Sequence, residues 1–175
     1  MDEEFHFDEL AAAESVAERI RRRSLAVQQA EASTFAGVLA EGAESRLAVQ
    51  LDLHTGVSVS GVLVATNDRV IQLVDDAGCG VAVAVLAVAA VRGPSARLLS
   101  GMQPGDDRTS IASWLRDRME WQTMVQVQTR GAHRYRGEIS AVGHDVVMLT
   151  QAGSLRSSCW IGIDSIVLVR ESPSN

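Results

Sequence analysis

The chain has 175 residues, 46% of them hydrophobic, and 16 basic against 22 acidic side chains give it a net charge of −6. That is the composition of a globular protein. The longest apolar run, Val81 to Val91, falls short of the roughly 18 residues of a membrane span, and the acidic start lacks a basic-then-apolar leader, so neither a membrane span nor a secretory signal is expected and a cytoplasmic location is.

Every basic residue is arginine, a bias compatible with a GC-rich bacterial genome. The two cysteines, Cys79 and Cys159, lie 80 residues apart and are not an equivalent pair of the two halves, so reduced cytosolic thiols are expected over a disulfide, and neither has the C-x-x-C or histidine spacing of a metal site.

After an acidic start with Phe5 and Phe7, residues 8–32 read as one amphipathic helix carrying Leu10, Ala13, Ala17, Ile20 and Val27 at three-to-four spacing. Ser33 or Thr34 then caps a short helix over Phe35 to Ala43. Five β-rich segments follow: Leu47 to Leu53, Val57 to Thr66, Val70 to Asp75, Val81 to Val85 and Ala87 to Arg92. Residues 93–108, with Pro94, Gly101, Pro104 and Gly105, read as a linker. Thr109 or Ser110 caps a second helix over Ile111 to Trp121, and five more segments succeed it: Met124 to Thr129, Arg134 to Val142, Asp145 to Gln151, Arg156 to Ile161 and Ile163 to Val169.

The two halves superimpose. A shift of 76 residues lays Ser33 to Arg92 over Thr109 to Leu168 without a gap, with identities that include Leu39/Leu115, Val49/Val125, Gln50/Gln126, Gly61/Gly137, Leu73/Leu149 and Val91/Val167. Such a repeat guides fold better than local propensity. It divides the chain into an acidic N-terminal segment and helix (1–32), a first module (33–92), a linker (93–108), a second module (109–170) and a tail (171–175). A 60-residue module is marginal alone, so the two are expected to pack together or on a partner. Gly61 and Gly137, at matched places in the long second strand, permit the sharp bend that closes a small barrel.

With a strand at Val125 to Arg130, a turn glycine at Gly131, a bend glycine at Gly137 and Asp145 before the third strand, the second module resembles the Sm-like family of small β-barrels. Gly56, Gly61, Asp68 and Leu73 repeat the pattern in the first. The resemblance implies a mainly β fold with helices: two tandem five-stranded barrels, each preceded by a short helix, plus the N-terminal helix. It also implies assembly through strand edges, either as a dimer or as three chains making a six-barrel ring. The second family signature is missing, because Cys159-Trp160-Ile161-Gly162 stands in its place, so the family's RNA pocket is not implied. Other bent five-stranded barrels remain open as alternatives.

Function is therefore expected to be non-enzymatic binding or assembly, with a homo-oligomer or tight packing between modules and without a cofactor, metal or membrane. The alternative is RNA binding by the second module. Its candidates are Arg130, His133, Arg134 and Arg136, since arginine contacts phosphate. Alternation places Arg134 and Arg136 outward and Tyr135 and His133 inward. On the matched strand the outward residues are Ser58, Ser60, Val62 and Val64; with apolar residues on both faces, this strand is expected to be covered as an interface. The acid pairs Asp75-Asp76 and Asp106-Asp107 and the nucleophile-like Ser157-Ser158-Cys159 are read as solvated turns and inert filling, and no catalytic residue is assigned.

Overall fold

A computed structural model describes residues 16, 18–25, 27–28, 31, 34–93, 109–151 and 157–172. The expected acidic start, parts of the expected N-terminal helix, most of the expected linker, residues 152–156 and the last three residues lie outside this set. Residues 18–25 are helical (α1) and exposed.

The order helix then five strands occurs twice: α2 (Phe35–Glu44), β1 (Ala48–Leu53), β2 (Ser58–Thr66), β3 (Val70–Val74), β4 (Gly80–Ala84) and β5 (Val88–Arg92); then α3 (Ile111–Glu120), β6 (Met124–Thr129), β7 (Arg134–Val142), β8 (Val146–Gln151), β9 (Ser157–Gly162) and β10 (Ile166–Glu171). Thr34 caps α2 by accepting the Gly37 N–H. At α3 a reciprocal pair, Ser110 and Ser113, satisfies two N–H groups that the first turn leaves open. Short 3-10 turns at Val85–Ala87 and Ile163–Ser165 lead into β5 and β10, taking up Val85 and Ala87 in the first repeat and Ile163 to Ser165 in the second, which the sequence reads as strand ends.

The expected pair of closed barrels is not formed. The ten strands make one open antiparallel sheet in the order β5-β1-β2-β3-β4-β10-β6-β7-β8-β9. The free edge of β4 pairs with β10 of the other repeat, Val81 to Val83 against Arg170 to Leu168, and not with β5 of its own. The sheet's apolar face changes sides at this seam. Leu168 of β10 belongs to the first repeat's core, around Leu51, Leu63 and Ile71, while Ala82 of β4 and Val70 of β3 belong to the second repeat's core, around Trp114, Val127 and Leu149.

Two further links cross the seam. Glu171 accepts the Gly80 N–H at 2.6 Å and the Arg118 Nε–H at 2.8 Å, and the Arg118 guanidinium lies 4.1 Å over the Trp114 ring. Asn67, buried in the β2–β3 turn, donates its amide N–H to the Thr109 carbonyl at 2.6 Å.

The gapless repeat also needs correction. Val70 pairs Ala84 in the first repeat and Val146 pairs Gly162 in the second, so the offset is 76 on β3 but 78 on β4, and Gln50–Arg92 against Gln126–Arg170 keeps 78 on β5. Two extra residues thus lie between β8 and β9. Val91 matches Val169, and not Val167.

The bend glycines are required where they stand. A Cβ on Gly61 would meet the Val74 carbonyl oxygen at 2.5 Å, and one on Gly137 the Thr150 oxygen at 2.6 Å, because β2 and β7 press against their neighbours there. Matched bulges follow at Leu63/Ala65 and Ile139/Ala141. No helix among the described residues is long and apolar enough to cross a membrane.

Candidate functional site

On the second repeat, strand alternation turns Arg134 and Arg136 to the solvent and Tyr135 partly to the core, as the pattern predicts. Strand pairing sets them in rows: Arg136 is beside Gln126, which is beside Arg170, and Arg134 is beside Gln128, which is beside Leu168. Arg170 is held by Asp75, Nε to Oδ2 at 3.5 Å. A groove of about 240 Å³ lies between Ser58 and Val59 of the first repeat on one side and Arg134, Gln126 and Arg170 of the second on the other. The exposed guanidiniums of Arg134 and Arg136 beside the half-buried Gln126 amide suit a polyanion, whereas Gln128 is buried and donates to Thr55 at 3.2 Å.

The other two basic candidates are elsewhere. His133 is exposed, not inward, because it belongs to the β6–β7 turn, where its carbonyl accepts the Thr129 N–H and strand alternation has not begun. Arg130 donates its backbone N–H to the Ser165 carbonyl and lines a cavity of about 350 Å³ beside the seam, with His54, Leu86 and Ile166. Gly131 stands in the turn as expected, and the turn's left-handed residue is Ala132 (φ 61°), matched by Gly56 (φ 78°) in the first repeat.

The outward residues of β2 form two distinct groups. Ser58 donates to Asp52, which also accepts from Gln50 and pairs with Arg92 at 2.8 Å; the Ser58 and Gln50 hydrogen bonds, with help from Arg92, hold the Asp52 carboxyl below its ordinary range. Ser60 is exposed beside Gln50. Val62 lies between Ala48 and Val74 across three strands, and all three are exposed, as is Val64. The expected cover on Val62 and Val64 is not supplied by the described residues of the same chain.

The seam and the two outer edges of the sheet form the most ordered arrangement. At the seam Val70, Ala82 and Ile111 are buried together. Their counterparts at the free ends are Val146, Trp160 and Phe35. Ala82 is 0% exposed and Trp160 63%, Ile111 9% and Phe35 43%, while Val146 is half-buried against a fully covered Val70. The free edges are themselves a complementary pair, since β5 is the repeat partner of β10 and β9 that of β4. Sequence reasoning missed this; the signal was a tryptophan inside a strand of an aromatic-poor chain.

Both cysteines are free thiols. Burial, with Asp75 and Glu171 nearby, pushes the Cys79 thiol up and keeps it protonated. Among the described residues no group of His, Cys, Asp and Glu is placed to hold a metal ion. Against models of known protein families and against curated sequences the chain gives no match.

Proposed function

We propose that the chain is a non-enzymatic assembly unit that joins copies of itself end to end through strand edges. The supporting observation is the β4–β10 seam, which pairs a fourth strand with a fifth strand of the next repeat and leaves one strand of each kind, β9 and β5, open at the ends. Repeating the seam between chains would set Ala90 opposite Ile161 and Val91 opposite Trp160. It would cover Trp160 and Phe35, which are exposed where their seam counterparts Ala82 and Ile111 are buried. An open edge is a template for another chain, and a head-to-tail contact closes into a ring or extends as a filament. Sedimentation of the full chain tests this. The expected mass is above one chain and falls when Ala90→Lys puts a charge on the β5 edge; a single-chain mass at high concentration overturns it.

A second reading, RNA binding, is favoured by the Arg136–Gln126–Arg170 row and the neighbouring Arg134. It uses a different face from the strand edges.

A further inference from the structure

The end-to-end reading above fixes which residues a second copy would meet, and those residues are size-complementary. Within the chain, the small residue of the seam is on the strand and the large one on the helix: Ala82 on β4 shares a buried cluster with Trp114 on α3, and α3 lies against β4. At the free ends the sizes are reversed. The counterpart of Ala82 is Trp160, and the counterpart of Trp114 is Val38 on α2, which is half-buried beside exposed Phe35. Gly42 stands where Arg118 does.

We infer that Trp160 of one copy is the anchor of the joint, seated on α2 of a second copy against Val38 and Phe35. A tryptophan removes some 150–250 Å² from water when covered, and such residues dominate interfaces. The in-chain seam cannot be copied in its polar part. The Glu171–Gly80–Arg118 link has Gly93, Ser158 and Gly42 at the corresponding positions, which supply neither carboxylate nor guanidinium. The joint between copies is therefore apolar where the seam within a copy is ionic, and the size reversal keeps the two from being exchanged.

Sedimentation velocity over a concentration series tests the inference with the full chain and three variants: Trp160→Ala, Val38→Trp, and both together. Each single change is expected to raise the concentration of half-assembly about tenfold or more. The double variant restores a small strand residue facing a large helix residue, as in the in-chain seam, and is expected to regain most of the loss. Trp160 is exposed, so Trp160→Ala should keep the fold, and circular dichroism checks both singles.

If the wild type assembles and folded single variants assemble equally well, the anchor is overturned while edge pairing stands. If the singles weaken assembly and the double variant regains nothing, the seat on α2 is overturned. A wild type that stays a single chain overturns the edge reading itself.

Discussion

Ala132 occupies a left-handed conformation that its repeat partner meets with Gly56. A side chain there costs about 1–2 kcal/mol, offset in part by the extra unfolded-state freedom of glycine. Ala132→Gly is expected to stabilise by about 0.5–1 kcal/mol, read as a higher urea midpoint, and Gly56→Ala to do the reverse. At the bend glycines the cost is steric: Gly61→Ala or Gly137→Ala drives a Cβ into a neighbouring strand's carbonyl and should cost about 1–3 kcal/mol. Asp52 links residue chemistry to pH. Its folded-state value is lowered by Ser58, Gln50 and Arg92, so its contribution is present above the unfolded carboxylate value of about 3.9 and lost as pH falls through the folded one. Asp52→Asn should therefore narrow the gap between urea midpoints at neutral pH and at a pH below that range; an unchanged gap would show that the network adds nothing. His133 marks where residue-scale reading failed. Alternation holds only once the chain is extended, and the turn at Ala132 resets the phase before Arg134.

Elements were mostly legible because each carries its own local signal. Capping residues Thr34 and Ser110 start α2 and α3, and apolar alternation runs through β1, β2, β6 and β7. The offset change was hidden because β10 reads Val167-Leu168-Val169, where Val91 finds a valine in either frame. Strand-face chemistry was legible for the same reason as the strands, and it carries the RNA reading. If Arg134 and Arg136 contact phosphate, retention of a single-stranded oligonucleotide should fall with salt and fall again in the Arg134→Glu, Arg136→Glu variant; equal retention by the variant removes the reading. Between elements, Glu171 joins β10, β4 and α3 through charge-assisted bonds in a partly covered setting. Glu171→Ala leaves the Gly80 N–H without this acceptor and should cost about 1–3 kcal/mol in unfolding free energy.

At the scale of the whole molecule, the sequence could not say which strand β4 would take as its neighbour. Val81 to Val83 and Leu168 to Arg170 are short apolar runs able to complete a ladder with either repeat, and the choice is made by contacts far apart in the chain. The consequence is mechanical coupling, since each core holds residues of the other repeat: Val167 and Leu168 in the first, Val70 and Ala82 in the second. The three tryptophans, Trp114, Trp121 and Trp160, all belong to the second repeat, so fluorescence reports that half alone while circular dichroism reports both. Coupled repeats should unfold in urea with coincident midpoints by the two probes, measured at one fixed concentration because assembly shifts apparent stability. The sharper measurement uses Val83→Ala, a buried change of about 1–3 kcal/mol placed in the first repeat, opposite Leu168. The fluorescence midpoint should fall with the dichroism midpoint although no tryptophan lies in the altered half; a fluorescence transition left in place would mean that the two repeats unfold separately.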